Sequence, residues 1–161
     1  MNNKVWPLIL AVLFMLSGCS HRHKSMMQRL NQPYEDNPTM QERVRKLMGI
    51  TMELPADMQA SKQGKDFLWI SNNAASGMKN VVIYKVKTTE TLPLSVERFC
   101  CLRDSVMQIN LKGASDSMFV TTLKTSVEGR FNAKEKLCRY AGLWEMHGDA
   151  MGGQFVCNVY L

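Results

Sequence analysis

The chain has 161 residues, of which 45% are hydrophobic and 21% are charged, and its 20 Lys and Arg outnumber its 14 Asp and Glu to give a net charge of +6. This length and composition are typical of one ordinary globular domain with its own core, and they argue against a disordered chain. The five cysteines form no C-x-x-C pair, which argues against a thioredoxin-like redox site and a zinc ribbon.

Residues 1–18 have the pattern of a secretory signal peptide. Lys4 supplies a positive charge, Val5–Met15 is an apolar run, and small residues follow at Ser17-Gly18. A membrane-spanning helix needs roughly 17–25 apolar residues, so this run is too short to span a bilayer permanently. We therefore expect residues 1–18 to be a leader that is removed.

The segment Leu16-Ser17-Gly18-Cys19 resembles the lipobox of bacterial lipoproteins. The resemblance implies that Cys19 is lipidated, and that a dedicated signal peptidase recognises Leu16, Ser17 and Gly18 and cuts before Cys19. Each buried CH₂ group contributes about 0.8 kcal/mol, so two or three acyl chains, such as palmitate, would anchor the chain to a lipid bilayer without help from the polypeptide.

The residues after Cys19 bear on where the anchored chain resides. Ser20 stands where an Asp would favour retention in the inner membrane, and the basic run His21–Lys24 is unlike the acidic cluster of surface-exported lipoproteins. We expect a cell-envelope location at the outer membrane, facing the periplasm. A chain in that compartment is not expected to bind nucleic acid.

Residues 19–38 contain polar and basic residues together with Pro33 and Pro38, which predicts a flexible tether after the lipidated Cys19. A single domain is expected over residues 39–161. It opens with a short amphipathic helix, because Thr39-Met40-Gln41-Glu42 has the form of a capping box and Gly49 stands where a helix would end.

Three strands are predicted next, at Ile50–Leu54, Phe67–Ile70 and Asn80–Lys87, from alternating or continuous apolar residues. The second and third are expected to be antiparallel neighbours. Leu94–Leu111 is the strongest predicted helix, with Ser95 as its cap and Gly113 beyond its end.

The helix at Leu94–Leu111 has one apolar and one polar face. The apolar face is expected to cover the sheet, and the polar face is expected to meet solvent. The apolar face contains Val96, Phe99, Cys100, Leu102, Val106, Met107 and Ile109, and the polar face contains Glu97, Arg98, Arg103 and Asp104.

Three more strands are predicted at Met118–Leu123, Lys136–Met146 and Phe155–Leu161, the last two forming a hairpin around a turn at Gly148–Gly153. We assign the turn's Gly152-Gly153 pair to positive φ angles. The order of elements predicts an α+β fold, an antiparallel sheet of about five or six strands with one main helix packed on one face.

Four cysteines remain after Cys19, at Cys100, Cys101, Cys138 and Cys157. In an oxidising compartment an even number permits up to two disulfides. Free, buried thiols that act as small hydrophobic groups are equally compatible with the sequence. The pairing stays open.

Glu145, His147 and Asp149 are the candidate metal or catalytic residues, because their spacing places them on one face of a continuing strand. Polar residues approaching an exposed turn give the same pattern, and we favour this interpretation over a metal or catalytic site. Trp69 and Trp144 are candidates for a ligand pocket, although large aromatics in a small sheet usually belong to the core. No nucleotide, zinc-protease or hydrolase motif is present, so no cofactor is expected.

Several segments resemble a lipoprotein family of Bacteroidota whose shared domain has no assigned function. The similarity runs from about Leu47 to Val156, covers what looks like the C-terminal half of that family's members, and implies no catalytic residue. The matching segments are Phe67-Leu68-Trp69-Ile70, Val82-Ile83-Tyr84, Arg103-Asp104-Ser105-Val106, Gly142-Leu143-Trp144-Glu145-Met146, Asp149-Ala150-Met151-Gly152-Gly153 and Phe155-Val156.

The sequence therefore predicts a membrane-anchored envelope lipoprotein with a non-enzymatic binding or structural domain, whose partner is an envelope protein or a glycan. The alternative is a hydrolase or metal-dependent enzyme that uses Glu145, His147 and Asp149.

Overall fold

The computed structural model describes residues 6–15, 35–75 and 77–160, with the backbone alone for residues 6–15. The described residues form seven strands and two helices. In chain order they are β1 (Trp6–Met15), α1 (Pro38–Met48), β2 (Ala60–Gly64), β3 (Phe67–Ser71), β4 (Lys79–Thr88), α2 (Val96–Asn110), β5 (Phe119–Asn132), β6 (Leu137–His147) and β7 (Gly152–Tyr160).

The strands form two three-stranded antiparallel sheets, β2-β3-β4 and β5-β6-β7. Strand β1 lies between them and pairs with β4 on one side and β7 on the other, giving the order β2-β3-β4-β1-β7-β6-β5. The predicted single sheet of about five or six strands under one main helix is therefore wrong. The error arises because β2 (Ala-Ser-Lys-Gln-Gly) carries no apolar pattern. It also arises because α1, although only 11 residues long, covers a sheet face of its own.

Helix α1 begins two positions earlier than its predicted capping box. The side chain of Asn37 accepts a hydrogen bond from the Met40 amide (3.1 Å), Pro38 occupies the first turn, and Gly49 ends the helix at φ +70°. Glu42 does not reach back to the cap. It instead pairs with Arg45, which holds the pKa of the Glu42 carboxyl at about 2.

The buried face of α1 packs on the side of β3 and β4 that carries Leu68, Ile70, Val81 and Ile83. The predicted strand Ile50–Leu54 is wrong: this segment has no ladder partner, although its alternating residues pack against the same cluster. Every second residue of this extended segment is thus buried or partly buried because the segment packs on a core, although it does not belong to a sheet. The buried residues that α1 contributes are Met40, Val44 and Met48.

Helix α2 covers the opposite side of the strands and joins the two sheets in one core. Ser95 caps it as predicted, accepting from the Arg98 amide (3.1 Å), and Leu111 ends it, at the predicted last residue and two residues before Gly113. The core residues below it come from both sheets. They are Phe67, Val82 and Tyr84 on one side and Val120, Cys138, Tyr140, Trp144, Phe155, Cys157 and Val159 on the other.

The predicted faces of α2 are wrong at two positions. Arg103 is fully buried although it was assigned to the polar face, and Ile109 is 73% exposed although it was assigned to the apolar face. The helix lies over both sheets, so its buried arc is set by neighbours that helical periodicity does not specify.

The predicted terminal hairpin is present as β6 and β7, and β5 pairs with the other edge of β6. Strand β5 extends to Asn132 instead of ending at the predicted Leu123, with a register shift between Leu123 and Glu128. Gly142 of β6 lies opposite this irregularity, where a Cβ atom would come within 3.0 Å of Val127. The assignment of Gly152-Gly153 to positive φ is wrong, since Gly148 supplies the positive φ (+83°) in this turn. Gly152 instead permits close approach to the Trp144 carbonyl, 2.8 Å from where a Cβ would stand.

Candidate functional site

The two tryptophans singled out in the sequence lie on the α2 side of the strands and line one pocket. Its volume is about 190 Å³, and it opens where the end of α2 meets both sheets. Trp144 is 6% exposed and belongs to the core, whereas Trp69 is half-buried. Trp144 is thus a core residue, as the favoured interpretation had it, and Trp69 packs against that core. A ligand in the pocket stays a prediction. The other lining residues are Asn80, Leu111, Lys112, Val120, Met146 and Met151.

The polar side chains around this pocket are already engaged with neighbours. Asn80 Oδ1 accepts a hydrogen bond from Trp69 Nε1 (3.1 Å), and Lys112 Nζ donates to Asp116 Oδ1 (2.7 Å). The Lys112 ammonium lowers the pKa of the Asp116 carboxyl through that contact. An apolar group therefore suits the pocket better than a sugar, whose hydroxyls require free hydrogen-bonding partners.

The rim of the pocket is held by backbone pairing between the end of α2 and the start of β5. The Val120 amide donates to the Leu111 carbonyl (3.2 Å), and the Gly113 amide donates to the Met118 carbonyl (2.7 Å). Lys62 Nζ donates to the Asn110 carbonyl (2.9 Å), placing a cation at the C-terminal end of the helix. These contacts fix Leu111 and Lys112 as one wall.

A polar cluster of Arg103, Asp104 and Thr122 lies on the inner side of α2. Arg103 Nη1 donates to Thr122 Oγ1 (2.7 Å) and lies 3.4 Å from Asp104 Oδ1, while the Thr122 hydroxyl donates to the same carboxylate. The guanidinium carbon stands 4.4 Å from the centre of the Phe155 ring, a cation–π geometry. This cluster holds α2 against β5 and β7, and its guanidinium is not accessible to a ligand because Arg103 is fully buried.

The four cysteines left open by the sequence are free thiols. Cys100, Cys138 and Cys157 are buried, and Cys101 is exposed. Burial raises the pKa values of the Cys157 and Cys100 thiols, so both stay protonated and unreactive at neutral pH. These thiols fill the core in the way that small hydrophobic side chains do.

The residues Glu145, His147 and Asp149 do not form a site. Glu145 and His147 are exposed on β6, and the His147 ring stacks on Phe119 at 5.1 Å. Asp149 lies beyond the strand, in the turn where its amide donates to the Met146 carbonyl (3.1 Å). Within residues 35–75 and 77–160, no three His, Cys, Asp or Glu side chains stand close enough to share a metal ion.

Cys19, together with Leu16, Ser17, Gly18, the tether and its His21 and His23, lies outside the described residues. In the part of the chain that the structure describes, neither helix is long and apolar enough to cross a membrane.

Sequence reasoning found the two tryptophans of the pocket but missed the rest of its wall. Leu111, Lys112 and Met151 come from loops, and Asn80 appeared only as the first residue of a strand. A polar residue at the edge of an apolar run, eleven positions from a tryptophan, gives no signal of a Trp–Asn hydrogen bond until the strands are paired.

Comparison with known proteins gives one match. A family model described as a domain of unknown function (DUF4837) matches residues 37–161, from the cap of α1 to the end of the chain. No curated protein and no solved structure matches the chain. The match includes both helices and strands β2 to β7. The chain therefore belongs to the DUF4837 family of domains of unknown function.

Proposed function

We propose that the chain is an envelope lipoprotein of the Bacteroidota type, anchored through acylated Cys19, whose domain binds another envelope protein. The motif Leu16-Ser17-Gly18-Cys19 supports the anchor. The domain holds an apolar side chain of its partner in the pocket between Trp69 and Trp144. An anchor at the outer membrane, facing the periplasm, would keep this pocket among envelope proteins.

The observation that carries the binding role is the pocket itself. Its volume of about 190 Å³ is below the roughly 300–1,000 Å³ of ligand sites that enclose drug-sized molecules, but it suits one buried side chain. Aromatic walls that exclude water from one inserted side chain are typical of the dominant contacts in protein interfaces. Asn80 is already hydrogen-bonded to Trp69, and Lys112 to Asp116, which favours a protein partner over a glycan.

An enzymatic role centred on Glu145, His147 and Asp149 has less support. Two of these side chains are exposed on a strand and the third lies in a turn, so no shared centre for a nucleophile, a base and a bound substrate is available there.

A photo-crosslinking residue at Met151, on the exposed rim of the pocket, tests the binding role in living cells. Leu111→Trp in the same chain fills the pocket, and Ile109→Trp adds the same side chain at an exposed position of α2 outside it. We expect Leu111→Trp to reduce a discrete crosslinked product at least about tenfold, equivalent to 1.4 kcal/mol of binding, and Ile109→Trp to leave it unchanged. Equal crosslinking by both variants, with equal thermal stability, would exclude the pocket as the binding site.

A further inference from the structure

The position of β1 between the two sheets has a consequence for the processed chain. Strand β1 pairs antiparallel with β4 from Trp6↔Thr88 to Met15↔Lys79, and antiparallel with β7 from Ile9↔Tyr160 to Met15↔Gln154. Strands β4 and β7 therefore run in the same direction, separated by the width of one strand. We call the space between Lys79–Thr88 and Gln154–Tyr160 the strand slot.

Cleavage before Cys19 would remove the whole of β1, because β1 ends at Met15. Both walls of the strand slot would then present unpaired backbone amides and carbonyls along the middle of the molecule. Unpaired strand edges are templates for pairing with another chain, and buried backbone groups without partners destabilise a fold.

The two walls are not free to close on each other. Helix α2 packs on both, since one core contains Val82 and Tyr84 of β4 together with Phe155, Cys157 and Val159 of β7. Moving one wall by a strand width of about 4.8 Å would break that packing. Strand β6 also fixes β7 by pairing from Leu137↔Tyr160 to Glu145↔Gly152.

Only a strand that is unpaired on both edges fits between these walls. In a second copy of the domain, β4 is already bound to β3, and β7 to β6, so neither could enter without the rest of its sheet. The tether of this chain contains no apolar run of ten residues, because Arg22, Lys24, Arg29, Glu35 and Asp36 interrupt it. It does not suit the apolar surroundings that Val81, Val82, Phe155 and Cys157 create.

We propose that the strand slot accepts an extended apolar segment of another envelope polypeptide, about ten residues long, which runs antiparallel to β4 and β7 in place of β1. The inference rests on the proposed function, because it requires removal of residues 1–18. The inference also specifies how the partner would bind. Asn80 is the register partner of Phe14 in the strand slot and lines the Trp69–Trp144 pocket, so one partner segment reaches both the strand slot and the pocket. Pairing with the backbone of β4 and β7 supplies affinity, and the apolar side chains of these two strands select apolar side chains in the partner segment.

The probe is a peptide with the sequence Trp6–Met15 between lysine tags, added to the mature, lipid-anchored protein in nanodiscs. Two matched control peptides carry the same side chains but are N-methylated at alternate residues, the odd-numbered ones from Ile9 to Met15 in one and the even-numbered ones from Leu8 to Phe14 in the other. Alternate amides of a strand point to opposite neighbours, so each control loses the amide donors to one wall. Empty nanodiscs correct for partitioning of the peptide into lipid.

We expect saturable binding of the unmodified peptide and slowed hydrogen exchange in Lys79–Thr88 and Gln154–Tyr160, with binding at least about tenfold weaker for either N-methylated peptide. Equal binding of all three peptides would overturn the inference, as would a mature protein whose two edges are already protected without peptide or which forms dimers through them. If the mature protein retains residues 1–18, both the anchor and the vacated strand slot are wrong. If the protein is lipidated and processed but does not bind the peptide, the strand-slot inference alone is wrong and the proposed lipid anchor stands.

Discussion

At the scale of single residues, Arg103 shows most clearly where sequence reasoning stops. Helical periodicity assigned it to solvent together with Asp104, and the segment Arg103-Asp104-Ser105-Val106 stood out only through its resemblance to relatives. The structure buries Arg103 completely, with Thr122 as a hydrogen-bond partner and Phe155 below the guanidinium. Neither partner is near it in sequence, so no local pattern could have predicted the burial of this charge.

Truncation of this side chain tests its structural role. We expect Arg103→Ala to lower the free energy of unfolding by about 3–5 kcal/mol, because it leaves Thr122 and Asp104 without their cation and opens a cavity under α2. Urea unfolding followed by circular dichroism measures the change.

Arg98→Ala is the matched control on the same helix. Arg98 pairs with Glu90 at the surface, and exposed pairs of this kind contribute about 0–1 kcal/mol. Similar losses from the two substitutions would show that burial of the Arg103 charge does not hold the core together.

At the scale of elements, helices and strands with a marked apolar pattern or a cap were mostly predicted correctly, and a strand without such a pattern was missed. Strands β3, β4, β6 and β7 and helix α2 were each predicted within a few residues, because continuous apolar runs, alternation or a serine cap marked them. Strand β2 was missed since its pairing with β3, not its own residues, makes it a strand. The prediction of a strand at Ile50–Leu54 was wrong for the opposite reason. The segment has an alternating pattern, but that pattern reflects packing in the cluster that contains α1 and not pairing in a sheet.

The observed cap of α1, Asn37, differs from Thr39, the cap that the capping-box pattern predicted. We expect Asn37→Ala to destabilise the domain by about 1 kcal/mol or more, because the Asn37 side chain accepts from the Met40 amide and also donates to the Met58 carbonyl (2.9 Å). Thr39→Ala, at the position that the capping-box pattern selects, is expected to have little effect because Thr39 is an exposed residue within the helix. Thermal unfolding compares the two, and a larger loss from Thr39→Ala would contradict the observed cap.

At the scale of the whole molecule, the two helices cover different faces, and this arrangement sets the position of the pocket. Helix α1 covers only the β2-β3-β4 sheet, whereas α2 spans both sheets and ends where Trp69 and Trp144 meet. Three strands were predicted on each side of α2, and the three after it are present. Before α2 only β3 and β4 were predicted, whereas β1, β2 and the division into two sheets were not. That division depends on long-range pairing, which no local pattern specifies.

The apolar run at the N-terminus is compatible with two structures. Val5–Met15 has the length and flanks of a signal peptide, and Trp6–Met15 is the central strand β1, which pairs with β4 throughout and with β7 from Ile9 onward. A continuous apolar segment of this length suits both a leader and the central strand of a sheet. The fate of this segment decides whether the working protein has a central strand of its own or an open strand slot.

The intact mass of the protein, extracted from cell envelopes in detergent, tests this point most directly. We expect a chain that begins at Cys19, with residues 1–18 absent and the mass of a diacylglyceryl group, with or without a further acyl chain, added to it. Cys19→Ser should retain the leader and lose the added lipid mass. An unmodified chain that begins at Met1 and keeps Trp6–Met15 would contradict the lipid anchor and the binding role built on it.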